Sequence, residues 1–424
     1  MSAPTQAEGG GLPRRAIVFS GGGARGAYEA GVVRYVLEEL PKRLGHPIAF
    51  DVISGTSVGA IHACYLAATA HLGPERGSRL VDFWTSMRLE NVFPLSALDL
   101  IRLPRRLLGL RRVARAVRSG EPPERLYGLL NTEALERLVL KAIPWRSIRT
   151  NVRDGRVGSV CVAATQIATG RVVVFIETRE RRVAQWTGDP LMDPRATRLL
   201  PTHALASAAI PVLFPAVRVA STYYADGGLR MNTPLAPALR LGADRVLVVA
   251  LRQISRQSSQ AALSDKRIEN YASPLFLFGK VLNALLLDHL DIDLARLRLM
   301  NDILQKGETA FGPDFQQRLN EAAGREGDRR LRTIHEVVIR PSADLGILAG
   351  QILANLSQTR ERSPLIRLAA RNLTGDSRSA EADLLSYLLF DGEFVAPLAD
   401  LGYADAGNHE EELCEFFSEA PARV

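Results

Sequence analysis

The chain has 424 residues, of which 46% are hydrophobic and 23% charged, a composition typical of folded globular proteins and not of disordered ones. Its length allows two or three domains, or one large domain with an extension. The formal net charge of +7 suits a partner with an anionic surface, such as a membrane. No basic stretch is interleaved with the aromatic residues that stack on bases, so nucleic acid is not expected as a partner.

The cysteines and the N-terminal residues indicate the cellular setting. Cys64, Cys161 and Cys414 are far apart and have no metal-like spacing, so we expect reduced thiols in a cytoplasmic protein and neither a zinc site nor a disulfide framework. Residues 1–13 lack the apolar core of a signal peptide and are predicted to be a flexible leader. No window of about 18 residues is apolar and free of charge. Any membrane contact is therefore expected to be peripheral.

Two strand–turn–helix units follow the leader. The segment AIVFS at 16–20 is predicted to be a buried strand, followed by GGGARG at 21–26 and a helix that ends at Pro41. The stretch from Phe50 to Ala70 repeats this order, with Ser57 at the point where the strand turns into the helix. Two such units in succession predict a parallel sheet with helices on its faces.

The later segments extend this α/β pattern. Residues 80–150 are predicted to be mainly helical and basic, and residues 158–178 to form two strands joined by a turn at Thr169 and Gly170. A helix of small residues then stops near Pro211, and a turn-rich loop, TYYADGGLRMNTP, follows a short strand. Residues 243–251 have the apolar run of a buried strand, so the sheet is expected to continue to about residue 251.

The C-terminal part is predicted to be mainly helical. Residues 273–304 form a long helical pattern with an apolar face, and a further strand at 335–340 can return to the main sheet. We therefore predict a main α/β unit at 14–255 and a mainly helical extension at 256–424, with a soft boundary near residue 255.

The segment GTSVG at 55–59 matches the G-x-S-x-G pattern of a nucleophile elbow. Gly55 and Gly59 permit the sharp turn that lifts the serine oxygen above the sheet, and the following helix directs its free amides toward Ser57. The alternative is that the glycines only let the chain turn tightly. The strand–turn–helix context favours a nucleophilic Ser57.

The segment GGGARG at 21–26 fits two kinds of anion site. After a strand and before a helix, it matches the dinucleotide fingerprint, but Asp51 begins the second strand and does not end it. The other reading is an oxyanion hole, because consecutive glycines expose backbone N–H groups. Arg25 is expected to hold this loop through a salt bridge, and a lipid phosphate is its second candidate partner.

The general base is harder to place, because none of the histidines has a suitable position. The sequence contains seven: His46, His62, His71, His203, His289, His335 and His409. Asp226 is better placed, since it comes just after a strand and is followed by Gly227 and Gly228, which leave its side chain uncrowded. The alternative is a plain turn, for which Asp-Gly-Gly is also suited.

Taken together, GGGARG, GTSVG and the DGG at 226–228 resemble the three motifs of the patatin-like phospholipase family, in the same order. The strong resemblance covers about residues 14–255, and Ser20 stands where plant members carry Asp. The resemblance implies a three-layer α/β/α fold with a mainly parallel central sheet. It also implies a Ser57–Asp226 dyad without histidine, and no metal or other cofactor.

The remaining site residues take their roles from the same resemblance. The implied oxyanion donors are Gly22, Gly23 and Ala24, with the Val58 amide as a further candidate. The implied motif glycines are Gly21, Gly26, Gly55, Gly59, Gly227 and Gly228. The implied activity is hydrolysis of fatty-acyl ester bonds in phospholipids, lysophospholipids or neutral lipids. A Ser-His-Asp carboxylesterase and a dinucleotide- or phosphate-binding protein that uses GGGARG remain as alternatives.

The dyad makes a geometric demand. A free aspartate has a pKa near 3.9 and is a weak base toward a serine hydroxyl, so the site has to dehydrate the carboxylate. We therefore expect Asp226 within hydrogen-bond reach of Ser57 in a mostly apolar cleft. The apolar face at 273–290 and the Arg/Leu stretch at 101–118 are candidates for a cap or a membrane-facing surface, with ordinary packed helices as the alternative.

Overall fold

The computed structural model describes residues 13–92, 128, 130–186, 189–253, 290–356 and 386–418. The predicted leader, apart from residue 13, and the stretches at 101–118 and 273–289 lie outside the described residues. Among the helices of the described part, none has the length and apolar character needed to cross a membrane.

Nine described strands form one sheet. Their bounds are β1 (Arg15–Phe19), β2 (Val52–Thr56), β3 (Ser159–Gln166), β4 (Val172–Thr178), β5 (Met192–Ala196), β6 (Val217–Val219), β7 (Thr222–Asp226), β8 (Arg245–Val249) and β9 (His335–Ile339). The main path through the sheet runs β5-β4-β3-β2-β1-β8-β9, and all its pairs are parallel except β3 with β4. The short strands β6 and β7 pair with each other, and β7 also pairs with β3. The predicted mainly parallel sheet is therefore confirmed.

The helices of the first half follow the strands of the sheet. Their bounds are α1 (Gly26–Glu38), α2 (Leu40–Leu44), α3 (Val58–Ala68), α4 (Arg76–Thr85), α5 (Leu89–Val92), α6 (Glu133–Ala142), α7 (Trp145–Arg153), α8 (Pro201–Ser207) and α9 (Leu235–Arg240). The helix that was expected to end at Pro41 already ends at Glu38. Pro41 instead occupies the first turn of α2, where its missing N–H costs no hydrogen bond.

The helices of the second half lie at 290–417. Their bounds are α10 (Leu290–Phe311), α11 (Phe315–Ala322), α12 (Leu345–Leu356), α13 (Gly392–Asn408) and α14 (Glu410–Phe417). Strand β9 is inserted between α11 and α12, and it pairs in parallel with β8. The boundary at residue 255 falls between described segments, so the division into two domains stays a prediction.

The two faces of the sheet are covered by different helices because strand side chains alternate between faces. Ile17 and Phe19 of β1 pack with residues of α1, α3, α4 and α13. Ala16 and Val18 of the same strand pack on the other face with residues of α9 and α10. The result is a helix–sheet–helix sandwich of three layers.

Two arginines attach helix α14 to the end of the sheet at which the parallel strands begin. Arg15 of β1 donates hydrogen bonds to the carbonyl oxygens of Phe417 and Ser418, at 2.9 and 3.2 Å. Arg245 of β8 donates to the carbonyl of Phe416 at 2.6 Å and to that of Ser418 at 2.9 Å. The carbonyls at a helix C-terminus lack partners within the helix, so these guanidinium groups satisfy the end of α14.

Candidate active site

Ser57 lies at a sharp turn between β2 and α3. Its backbone has φ 56° and ψ −124°, which is a strained conformation for a residue with a side chain. The turn brings α3 close to β1, because a Cβ added at Gly59 would lie 2.6 Å from the carbonyl oxygen of Phe19. The predicted strand–turn–helix geometry around Ser57 is present, and it directs the start of α3 at the serine.

The side chains of Ser57 and Asp226 are hydrogen-bonded. Ser57 Oγ donates to Asp226 Oδ2 at 2.7 Å, and the backbone N–H of Gly228 donates to Oδ1 at 2.7 Å. Both residues are buried, with Ser57 5% and Asp226 1% exposed. Burial raises the pKa of Asp226 to about 6, although the bonds from Ser57 and Gly228 act in the opposite direction. The oxygens lie within the hydrogen-bond distance that the sequence analysis predicted.

The sheet register explains how residues so far apart in sequence meet. Strand β2 pairs with the first part of β3 and ends where Thr56 faces Ala163. Strand β7 pairs antiparallel with the end of β3, and its last residue, Asp226, faces Ala164. The two strands therefore meet end to end beside β3. Asp226 is the last residue of β7, whereas the sequence analysis placed it in the loop after a strand.

The glycine loop lies beside Ser57. A Cβ added at Gly21 would lie 3.1 Å from Ser57 Cβ, so the loop leaves no room for a side chain there. Asn232 holds the loop in place, since its carbonyl accepts from the Gly21 N–H at 3.0 Å and its Nδ2 donates to the Gly21 carbonyl at 3.1 Å. Asn232 was not identified from the sequence, because a single Asn in a loop carries no local signal.

The predicted oxyanion donors occupy a single turn of 3₁₀ helix and the residue before it. Gly23 adopts φ 57°, which favours glycine, and Gly26 begins α1. Within the described residues, no hydrogen bond is formed by the backbone N–H groups of Gly22, Gly23 or Ala24. Such N–H groups at a helix start can bind an anion. Gly227 and Gly228 form a similar turn after β7, at Gly227–Leu229.

Arg25 faces the protein and not the solvent. Its Nε donates to Ser386 Oγ at 2.7 Å, and its guanidinium carbon lies 4.1 Å from the centre of the Tyr387 ring. The side chain is buried, with 7% exposed. These contacts give Arg25 partners inside the protein. The salt bridge that was predicted for Arg25 and its contact with a lipid phosphate both stay predictions.

His62 lies one turn after Ser57 but is part of a separate buried network. Trp84 Nε1–H donates to its Nε2 at 2.9 Å, so the neutral ring carries its proton on Nδ1 and donates to Glu29 Oε2 at 2.7 Å. Burial lowers the pKa of His62 to about 3. Both ring nitrogens are thus occupied. Across the described ranges, no three His, Cys, Asp or Glu side chains are grouped so that they could hold a metal ion.

Two spaces with largely apolar linings lie near the dyad. A narrow cavity of about 30 Å³ lies next to Ser57, between α3, α4, α6, Phe214 and Phe390. An open groove of about 700 Å³ lies on the other side of Phe214. Ile167 and Val212 at this groove are 48% and 57% exposed. Ser57 borders the cavity, and Ala225, the residue before Asp226, borders the groove.

Ser207 supports the turn at Ser57 and was also missed by the sequence analysis. Its Oγ accepts from the Ser57 N–H at 2.8 Å and donates to the Ala163 carbonyl at 2.5 Å. Ser207→Ala leaves these two buried groups unpaired, and we expect the free energy of unfolding to fall by about 1–3 kcal/mol. We expect a displaced Ser57 to lower kcat for ester hydrolysis as well, by about tenfold or more. Thermal denaturation and ester hydrolysis measure the two effects.

Ser54→Ala is the matched control for Ser207→Ala. Ser54 is also fully buried, and its Oγ donates to the Pro234 carbonyl at 3.1 Å without contacting the backbone of Ser57. We expect this variant to lose stability but to keep kcat within about twofold of the wild type. If Ser207→Ala lowered kcat no more than Ser54→Ala does, the positioning role of Ser207 would be wrong.

Comparison with known proteins identifies the family of the chain. A family model described as "Patatin-like phospholipase" matches residues 17–239, which contain the glycine loop, Ser57 and Asp226 and make up more than half of the chain. The chain belongs to the patatin-like phospholipase family. The patatin-like fold class predicted from the sequence is thereby confirmed.

Named relatives of this patatin-like protein are similar over part of their length. The chain is 32% identical over 226 residues to a cGAMP-activated phospholipase of Pseudomonas aeruginosa, a match that covers 51% of this chain and 53% of that protein. It is 35% identical over 86 residues to a patatin-like phospholipase domain-containing protein of Caenorhabditis elegans, 7% of whose length is matched. The chain thus spans about half of the first relative and a small part of the second.

A solved structure is similar to this patatin-like chain over most of its length. The crystal structure of VipD from Legionella pneumophila matches with a TM-score of 0.31 and 14% identity. The match covers 92% of this chain and 67% of that one.

Proposed function

We propose that this protein is a serine acyl hydrolase that cleaves fatty-acyl ester bonds of phospholipids or lysophospholipids. The observation that carries the proposal is the hydrogen bond of 2.7 Å from Ser57 Oγ to Asp226 Oδ2 at a strained turn beside the glycine loop. Acyl transfer requires a nucleophile, a base in hydrogen-bond contact with it and N–H donors for the oxyanion, and Ser57, Asp226 and the glycine loop are suited to these roles.

In the acylation step, Asp226 accepts the hydroxyl proton of Ser57 while Oγ attacks the ester carbonyl carbon. The carbonyl oxygen becomes an oxyanion, which the N–H groups of Gly22, Gly23 and Ala24 stabilise. Collapse of this intermediate breaks the bond to the alkoxy oxygen, and protonated Asp226 gives its proton to that leaving group. The products of this step are a lysophospholipid or a glycerophosphodiester and an acylated Ser57.

In the deacylation step, Asp226 accepts a proton from water as the water oxygen attacks the acyl carbon. A second oxyanion forms at the same N–H groups, and its collapse releases the fatty acid and returns the proton to Ser57 Oγ. The raised pKa of Asp226 suits both steps, because a base with a pKa of about 6 takes a proton more readily than an ordinary carboxylate.

The surroundings of the dyad support an apolar substrate. The cavity bordered by Ser57 and the groove bordered by Ala225 are lined mainly by aliphatic and aromatic side chains. Exposed Ile167 and Val212 at the groove are suited to contact with the acyl region of a lipid surface, which makes peripheral membrane contact part of the proposal.

The two alternatives from the sequence analysis are less well supported. A Ser-His-Asp esterase requires an imidazole between serine and carboxylate, and the direct bond from Ser57 to Asp226 leaves no space for one. A dinucleotide site requires an open glycine loop, but the carbonyl oxygen of Tyr387 lies 2.2 Å from the position of a Cβ at Gly23. Both observations favour hydrolysis by the dyad.

The test is release of fatty acid from phospholipid vesicles and from lysophospholipid micelles, with products identified by mass spectrometry. The assay includes an arm with cGAMP, because the relative with 32% identity is named for activation by cGAMP. A fluorophosphonate probe is applied in parallel, and peptide mapping locates its adduct. We expect fatty acid release and an adduct on Ser57. Probe labelling of a different serine, or no ester cleavage in any arm, would contradict the proposal.

A further inference from the structure

A C-terminal segment, Ser386–Phe390, lies against the glycine loop although it is outside residues 17–239. The Tyr387 carbonyl packs on Gly23 so closely that no side chain fits there. Ser386 and Tyr387 also contact Arg25, the fifth residue of GGGARG. The segment is therefore part of the wall of the active site.

Phe390 brings this segment to the cavity beside Ser57. Its ring stacks on that of Trp84 with 5.9 Å between centroids and an angle of 11° between planes. Both rings line the cavity that contains Ser57. Phe390 is buried, with 5% exposed, and it borders this cavity.

The aromatic pair is held from both sides. Trp84 is fixed by its hydrogen bond to His62, and His62 is fixed by Glu29. Beyond Phe390, the N–H of Gly392 donates to the Met87 carbonyl at 2.8 Å. These contacts therefore restrict movement of the Trp84 and Phe390 rings.

With the rings of Trp84 and Phe390 in these positions, the cavity is too small for a long acyl chain. Its volume is about 30 Å³, whereas pockets for drug-sized ligands have about 300–1,000 Å³. A chain that extends from the carbonyl at Ser57 into this cavity meets the two rings. Resting on the proposed function, we propose that Phe390 is a specificity-determining residue that limits the length of the acyl chain accepted at Ser57.

The test compares p-nitrophenyl acetate, butyrate and octanoate for the wild type, Phe390→Ala, Phe390→Leu and Phe390→Trp. The readout is the ratio of kcat/KM for octanoate to that for butyrate. This ratio does not depend on the fraction of folded enzyme, because both substrates are measured with the same sample. Each methylene in an apolar pocket changes kcat/KM by about 10–200-fold, so we expect the ratio to rise by at least about tenfold in Phe390→Ala.

The other variants test the direction of the effect. Phe390→Leu is expected to raise the ratio less than Phe390→Ala, and Phe390→Trp to lower it and to favour acetate. Phe417→Ala is the matched control, because Phe417 is also a buried phenylalanine and its ring lies 5.5 Å from that of Phe50. Its carbonyl accepts a hydrogen bond from Arg15, at the end of the sheet opposite to Ser57. It is expected to lower Tm and to leave the ratio unchanged.

Each outcome decides the inference. If all three Phe390 variants kept the wild-type ratio, or if Phe417→Ala shifted it equally, the specificity role would be wrong while the proposed function stood. Absence of hydrolysis of all three esters by the wild type would contradict the proposed function and this inference with it. If Phe390→Ala failed to fold, opposite shifts in Phe390→Leu and Phe390→Trp would support the inference, and unchanged ratios would overturn it.

Discussion

Ser57→Ala is expected to lower kcat for ester hydrolysis by about 10⁴-fold or more, because it removes the nucleophile and no acyl-enzyme forms. The measurement is p-nitrophenyl butyrate hydrolysis, with loss of fluorophosphonate labelling as a second readout. Ser54→Ala, at a position three residues earlier on the buried strand β2, controls for loss of a buried serine. Retention of more than a few per cent of wild-type kcat would mean that another residue attacks the ester.

Ser57→Gly separates this loss from misfolding. Ser57 has φ 56° and ψ −124°, and glycine adopts such positive-φ conformations at lower cost than alanine or serine. The glycine variant is therefore expected to be inactive and yet more stable than Ser57→Ala in thermal denaturation. A glycine variant less stable than the alanine variant would show that the turn is not strained.

Asp226→Asn is expected to lower kcat by about 10²–10⁴-fold, because the amide has nearly the size of the carboxylate but cannot accept the Ser57 proton. In the wild type, kcat/KM is expected to fall as pH decreases through about 6, since burial raises the pKa of Asp226 to about 6 and the reaction requires its charged form. A variant whose kcat stayed within about tenfold of the wild type would contradict the role of Asp226 as base.

Asp226→Asn is also expected to raise the stability of the fold at high pH. Because the pKa of Asp226 is raised in the folded state, its ionisation destabilises the fold as pH rises through about 6. Asp226→Asn removes the buried charge, so its Tm is expected to exceed that of the wild type at pH 8. This gain should shrink between about pH 6 and pH 4, where the wild-type carboxyl becomes protonated. An equal Tm difference at all pH values would contradict this account.

The sequence predicts the parts of the site that depend on local backbone geometry. A turn between a buried strand and a helix needs Gly55 and Gly59, and that need is visible in five residues. The pairing of Ser57 with Asp226 followed from a family resemblance, because a separation of 169 residues carries no periodic signal. The structure supplies the reason for their contact, which is that β2 and β7 end against each other beside β3.

The supporting residues could not be predicted from the sequence. Ser207 binds the Ser57 N–H, Asn232 holds Gly21, and Phe390 closes the cavity, but each is an ordinary residue within its own segment. Their importance arises from contacts across more than a hundred residues, which no local pattern encodes. Strand β5 was missed for a related reason, since the sequence MDPRA contains a proline and lies at the edge of the sheet.

The attachment of α14 to the sheet through Arg245 has a consequence for synthesis of the protein on the ribosome. The guanidinium of Arg245 and the carbonyl of Phe416 are separated by 171 residues. At about 5–20 residues per second, translation needs roughly 10–30 s to cover that distance. In the first part of this interval, before β9 has been made, β8 has neither β9 nor α14 beside it. The nascent chain then has an unpaired strand edge that chaperones are suited to protect. We therefore expect this side of the sheet to acquire its full packing only after α14 has emerged from the ribosome.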